Sequence, residues 1–275
     1  MTALPKVVAD LLDEWELKTG GEPMPAQAAV VVPVRMADRT AAVLKVSPQH
    51  PHVEHEALAL QHWHGRGAVR LLKADPHRRA TLLERLAPSS LDSLPGLDAC
   101  DAVAELYGRL HVPAPPQLTL LSAITAGWAT QLASARGLPM PPRLVAEAAS
   151  LARDLARDEA TDGVLVHSDL HAGNVLEDND GDWRAISPKP LSGDPHFELA
   201  PMLWHRADVR APGFRADLRD RFFALVDGAG LDEDRAKAWV VVRVLARINA
   251  GVAADPAPDR DWVTSLLSVA KAIRD

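Results

Sequence analysis

The sequence is short of cysteine, of long apolar runs and of positive charge, and each shortage removes a class of protein. One cysteine, Cys100, stands in 275 residues, so no disulfide can form within the chain and nothing points to secretion. It falls in an apolar helical pattern and reads as a buried structural thiol. Apolar runs such as Val30 to Val34 and Trp239 to Val242 are far too short to span a bilayer. The opening residues Met1-Thr2-Ala3-Leu4-Pro5-Lys6 lack the apolar core of a signal peptide, so a soluble, cytoplasmic protein with no membrane partner is expected. Acidic residues outnumber basic ones, 37 to 30, for a formal net charge of -7. A nucleic-acid binder would normally be basic, so no nucleic-acid partner is expected, whereas a cationic ligand is compatible with this balance. No internal repeat, coiled coil or low-complexity tail is visible.

What is present is ordinary for a soluble enzyme: 47% hydrophobic and 24% charged residues, in a length that suits one large domain or two lobes. Apolar positions at helical spacing mark residues 5–18, with Val7, Val8, Leu11, Leu12 and Trp15 on one face. Two strand-like runs follow, Ala29 to Met36 and Thr40 to Val46, joined by the hairpin-sized Ala37-Asp38-Arg39. A helix is expected from about Val53 to His64, stopped by Gly65 and Gly67, then strands over Val69 to Lys73 and Arg79 to Leu83. After Pro88 long helical patterns dominate, at 97–110, 120–136, 142–158, 215–229, 232–253 and 261–274. Only 164–167, 175–176 and 183–186 read as short strands there. This predicts a mixed β/α N-terminal lobe over 1–86 and a large helical C-terminal lobe over 87–275.

The chemistry gathers in Val164 to Asn174. A short apolar strand ends in His167-Ser168-Asp169, and Asn174 follows five residues after the aspartate. Phosphoryl transfer to a hydroxyl asks little covalent work of a protein. It needs a carboxylate to orient the hydroxyl and take its proton, and oxygen ligands for magnesium. Asp169 supplies the first. The side-chain oxygen of Asn174 suits the second, because magnesium prefers hard oxygen donors. The spacing is also that of the protein-kinase catalytic loop.

The string His167-Ser168-Asp169-Leu170-His171-Ala172-Gly173-Asn174-Val175-Leu176 resembles the catalytic loop of the aminoglycoside phosphotransferases. Ala185-Ile186-Ser187-Pro188-Lys189-Pro190-Leu191, Gly193-Asp194-Pro195 and Trp63-His64-Gly65-Arg66-Gly67-Ala68-Val69-Arg70-Leu71-Leu72 narrow the resemblance to the streptomycin 6-phosphotransferase and hydroxyurea-resistance kinase branch. It covers roughly residues 25–205. It implies an α+β, protein-kinase-like bilobal fold, Mg2+ as cofactor and ATP or GTP as phosphate donor. It places Lys45 on the α/β-phosphates, where a fixed cation offsets phosphate charge. Glu56 then becomes the ion-pair partner of Lys45, with Glu54 as the alternative. Glu84-Arg85-Leu86 becomes the hinge that holds the purine through the Glu84 C=O and the Leu86 N–H.

Two features depart from that pattern. The segment before Val30, Pro25-Ala26-Gln27-Ala28, has no glycine-rich nucleotide loop. The family's second metal ligand is an aspartate thirteen residues after the asparagine, and that count falls on Ser187. A neutral hydroxyl there takes a full negative charge from the magnesium site, which could cost several kcal/mol of metal and phosphate binding. Three readings of Ser187 stay open. The change inactivates the enzyme while binding persists; other groups, the phosphates and Asp194 among them, make up the deficit; or the site leans less on metal, with Lys189 neutralising phosphate.

His167 reads as structural, and His171 as either a substrate contact or a brace for the loop. Asp194 and Glu198 read as carboxylates that support it. His50, His52, His55, His62 and His64 fit no tight zinc spacing and read as surface residues. Most of the seven tryptophans read as core, with Trp204, Trp239 and Trp262 as candidates to line a substrate pocket. Arg153, Asp154, Arg157, Asp158 and Glu159 read as a solvated helix face. The leading expectation is an enzyme, monomeric or weakly dimeric, that phosphorylates a hydroxyl of a streptomycin-like aminoglycoside or of a nucleoside antibiotic such as a capuramycin type, inactivating it. The alternatives are a catalytically silent nucleotide-binding pseudokinase and a metabolic sugar or amino-alcohol kinase.

Overall fold

A computed structural model describes residues 4–24, 29–48, 55–255 and 257–274. The expectations placed on the 25–28 loop, Glu54, His50 and His52 lie outside the described residues. Contacts divide the chain into two units. The first is Met1–Leu91 with Asn174–Pro190, and the second is Asp92–Gly173 with Leu191–Asp275. The segment 174–190, read from sequence with the helical half, thus packs with the β-rich one.

The first unit is a five-stranded antiparallel sheet with two helices packed on it. Helix α1 (Leu4–Glu14) leads into β1 (Lys18–Thr19), then β2 (Val30–Arg35), β3 (Ala41–Val46), α2 (Glu56–Trp63), β4 (Leu71–Asp75) and β5 (Ala80–Glu84), in spatial order β1-β2-β3-β5-β4. The β2–β3 turn closes as expected. Met36 N–H donates to Thr40 O, Thr40 N–H donates to the Asp38 carboxylate, and Arg39 takes φ 71°. Leu11 and Trp15 of the N-terminal segment pack on Val34, Leu44 and Leu82 in one apolar cluster. Leu11, Val34 and Leu44 are fully buried, each contributing about 1.5–3 kcal/mol. The two-strand hairpin β8 (Val175–Glu177) and β9 (Trp183–Ala185) belongs to this unit. Its pairing of Ala185 with Ala68 and of Leu176 with Ser90 fixes it there.

The second unit is helical: α3 (Gly96–Leu110), α4 (Leu121–Ser134), α5 (Pro142–Leu155), α6 (Leu199–Trp204), α7 (Phe214–Ala229), α8 (Glu233–Ala254) and α9 (Arg260–Arg274). A small antiparallel sheet of β6 (Val112–Pro113), β7 (Val164–Val166) and β10 (Leu191–Gly193), in the order β10-β7-β6, carries the loop of interest. Helix α8 is the axis of the unit. Trp239, Val240, Val242, Val244, Leu245 and Ile248 are wholly buried around it, as a helix with apolar residues on most faces requires. Cys100 is buried on α3, and burial pushes its thiol up. No helix among the described residues is long and apolar enough to cross a membrane.

Candidate active site

In the first unit the sheet brings Lys45 and Glu56 together. Lys45 lies on the central strand β3, opposite Val31 of β2 and Thr81 of β5, and Glu56 opens α2. Lys45 Nζ stands 2.7 Å from Glu56 Oε1, and the two residues are only 9% and 4% exposed. At that depth the attraction largely offsets the cost of desolvating both ions, so the pair specifies position more than it adds stability. Lys45 Nζ also donates to Ser187 Oγ at 3.3 Å. Ser187 is within reach because β8 and β9 close a hairpin. Val175 pairs with Ala185, and Ile186 N–H donates to Asn174 O at 2.9 Å, so Asn174 and Ser187 flank its open end. Ser187 takes φ 56°.

Asn174 and Ser187 offer hard oxygen donors but no negative charge. Glu56 is engaged by Lys45, and no group of three or more His, Cys, Asp or Glu residues among the described ones could hold a metal. This donor set fits magnesium carried in on a triphosphate, whose phosphates bring the missing charge, and does not fit a resident ion. Lys189 is exposed in the same unit. At the end of β5, Glu84 N–H donates to Arg70 O and the Glu84 carboxylate accepts from Arg70 N–H at 2.7 Å. The Leu86 N–H donates to no main-chain carbonyl among the described residues, while the next amide, Ala87, is taken by Glu177 O.

In the second unit the turn after β7 is held from several sides. The His167 and Ser168 amides donate to the two oxygens of Glu198, at 3.0 and 2.5 Å, and Asp169 N–H donates to His167 Nδ1 at 3.3 Å. His167 is fully buried, so its imidazole shapes the loop, while Asp169 is partly exposed. Ser168 is left-handed, φ 67°, which is uncommon away from glycine. Its carbonyl accepts from Arg243 Nη2 at 2.7 Å, and Arg243 Nη1 donates to Phe197 O at 2.8 Å. Burial pulls the Arg243 guanidinium down to about 10, opposed by Glu198 and Asp169, so it stays cationic at neutral pH. Glu198 is fully buried. Burial works to raise its carboxyl, but His111, His167 and the Ser168 amide together hold it below the usual carboxylate value.

His171 stacks on His205 at 4.2 Å between ring centroids, and His205 Nε2 is 2.9 Å from Asp92 Oδ1. Burial first, then the charge of His205, pulls His171 down to about 4, so it is a neutral imidazole at pH 7. Its buried Nδ1 has no partner among the described residues. Asp194 is 1% exposed and its carboxylate is spent inside its own unit. Trp239 Nε1 at 2.6 Å, Arg235 Nε at 2.5 Å and His196 Nδ1 at 2.6 Å surround it. That removes it as a compensating metal ligand and makes it a strut for the β10–α6 segment.

Trp239 is likewise wholly buried, a core residue, and Trp262 packs over Gly251. Trp204 remains half-buried, with Arg243 and Arg247 stacked on it at 5.2 and 4.8 Å. The residue that sequence reasoning missed is Arg243. A lone cation inside the apolar run from Trp239 to Ala246 was the available signal, since a charge placed there must find buried partners.

Residues 14–251 match the description of the aminoglycoside/hydroxyurea antibiotic resistance kinases. The chain is 39% identical over 251 residues to the hydroxyurea phosphotransferase of Kitasatospora aureofaciens, covering 88% of this chain and 71% of that protein. It is 39% identical over 270 residues to the streptomycin 6-kinase of Streptomyces glaucescens, covering 94% and 87%. Among solved structures, an aminoglycoside phosphotransferase, a thermostable mutant crystallised with ADP and hygromycin B, superposes with a TM-score of 0.63 at 18% identity, covering 98% of this chain and 97% of that one. At that identity the likeness establishes the fold, and the α+β, protein-kinase-like architecture expected from the sequence is borne out.

Proposed function

The chain belongs to the aminoglycoside/hydroxyurea antibiotic resistance kinase family, and on that premise we propose that it transfers the γ-phosphate of ATP or GTP to a hydroxyl of a small antibiotic, inactivating it. The observation that carries the reading is the braced turn at Asp169: one partly exposed carboxylate on a loop whose peptides are tied by Glu198, His167 and Arg243. The acceptor class is that of the relatives, a streptomycin-like aminocyclitol hydroxyl or the hydroxyl of hydroxyurea.

In this reading Asp169 accepts a hydrogen bond from the acceptor hydroxyl and takes its proton as the oxygen–phosphorus bond forms and the bond to the nucleoside diphosphate breaks. Lys45, held by Glu56, neutralises charge on the α- and β-phosphates. Glu84 and Leu86 present their main chain to the purine. Asn174 and Ser187 are the side chains that would hold magnesium, which would supply positive charge against the phosphates. His171, neutral and adjoining Asp169, is a hydrogen-bonding contact for the acceptor and not an acid.

The test is a panel of streptomycin, related aminoglycosides, hydroxyurea, nucleoside antibiotics, sugars and amino alcohols. Each is incubated with protein, magnesium and ATP or GTP, and the phosphate adduct is detected by mass. A phosphorylated antibiotic, absent with Asp169→Asn, is the expected result. Nucleotide bound with no adduct from any compound would return the chain to the silent nucleotide-binding reading, and an adduct only on a sugar or amino alcohol would make it a metabolic kinase.

A further inference from the structure

Arg243 is a charged residue in an apolar stretch of the long helix α8. Trp239, Val240, Val242, Val244 and Leu245 around it are wholly buried. A cation at such a position persists only where donors and charge are matched. The matching here is specific to one peptide. Ser168, in its left-handed conformation, shares with Asp169 the amide plane that sets the Asp169 backbone. The N–H end of that plane donates to His167 Nδ1, and the C=O end accepts from Arg243 Nη2 at 2.7 Å.

The second arm of the same guanidinium donates to Phe197 O, the carbonyl that precedes Glu198. Glu198 in turn holds the Ser168 amide. One planar fork therefore ties the turn to the segment that braces it. The fork is itself held flat. Arg243 lies 3.8 Å above the Phe197 ring and 5.2 Å from Trp204, against which Arg247 also stacks. A lysine could supply the charge at this place but not two directed donors from one rigid plane.

We infer that Arg243 is a positioning residue for phosphoryl transfer: its grip on the Ser168 carbonyl fixes the peptide that presents the Asp169 carboxylate to the acceptor hydroxyl. The inference rests on Asp169 being the carboxylate that takes the acceptor's proton. Without the fork, Ser168 relaxes from its left-handed conformation and Asp169 turns with it. Misplacement of a reacting group by about 1 Å can cost about 10²-fold in rate. Lys45, Glu84 and Leu86 belong to the other unit, so nucleotide affinity has no reason to follow.

The experiment compares Arg243→Met, Arg243→Lys and Asp169→Asn in the full chain, with magnesium and ATP, and with streptomycin and hydroxyurea in turn as acceptor. Folding is checked by circular dichroism. Arg243→Met is expected to lower kcat about 10²-fold with the KM for ATP within about threefold. Arg243→Lys is expected to recover part of that, to about tenfold below the parent, because charge returns without the fork. If Arg243→Met does not fold, Arg243→Lys decides alone, and a tenfold loss at unchanged KM supports the inference. Either folded variant turning over within twofold of the parent overturns it, as does a loss confined to the KM for ATP. Asp169→Asn separates the two layers. If it is inactive while the Arg243 variants work normally, only the positioning role falls. If it turns over at the parent rate, the assignment of Asp169 falls first.

Discussion

Ser187→Asp is the change whose outcome can be worked out most fully. Ser187 Oγ lies 3.3 Å from Lys45 Nζ, and Lys45 Nζ lies 2.7 Å from Glu56 Oε1, with both Lys45 and Glu56 buried. A new carboxylate about 4 Å from Lys45 gains about 4 kcal/mol at an effective dielectric of 20. At about 6 Å from Glu56 it loses about 3 kcal/mol to repulsion. The balance is about 1 kcal/mol before desolvation, so the variant should fold. The backbone is no obstacle, because aspartate tolerates the left-handed φ of 56° that serine already holds there. What changes is the charge offered to a divalent ion beside Asn174. One added carboxylate should tighten magnesium by at least about 1.4 kcal/mol, a tenfold fall in the concentration that half-saturates nucleotide binding. The assay is calorimetric titration of magnesium into protein with ADP, so turnover is not required. Ser187→Asn serves as the neutral control of similar size and should leave the titration unmoved. A folded Ser187→Asp with an unchanged magnesium titration would refute the placement of residue 187 at the metal.

Two further changes test separate parts of the site. Lys45→Met leaves Glu56 buried without its partner, so it should cost about 3–5 kcal/mol of stability, read by urea unfolding, and weaken ATP at least tenfold. Lys45→Met with Glu56→Leu should recover much of the stability but none of the nucleotide affinity. His171 gives a pH signature. The unfolded chain takes up its proton near 6.5 and the fold only near 4, so the unfolded state binds more protons in that window and stability falls as pH drops through it, by roughly 1–3 kcal/mol. His171→Asn should flatten that slope in urea unfolding at pH 7, 5.5 and 4.5. An equally steep slope in the variant would refute the assignment of this pH dependence to His171.

The long elements could be read in the sequence because their signal is periodic and local. The 97–110 pattern became Gly96–Leu110 and the 232–253 pattern became Glu233–Ala254. The β2–β3 hairpin followed from alternation and a three-residue turn. The fold lay hidden where an element exists only through its partner. β6 has two residues and β10 three, too few to show a period, and both are strands because β7 runs between them. Helix α6 begins right after a 3-10 turn and contains Pro201, so no helical stripe marks it.

The site divides along the same line. Lys45 and Glu56 are placed by the resemblance, and Asp169 and Asn174 sit in a local string whose chemistry announces itself. Arg243 and Asp194 do not, because their partners are distant in sequence. Ser168 is 75 residues from Arg243, and Trp239 is 45 from Asp194. A carboxylate can be told apart as ligand or strut only by what surrounds it. Asp194, ringed by an indole, a guanidinium and an imidazole, has no oxygen left to offer, so in the proposed site the charge missing at Ser187 comes from the nucleotide. That makes magnesium affinity a property of the nucleotide complex. The chain alone should bind magnesium weakly, and ADP should raise that affinity far more in the parent than in Ser187→Asp.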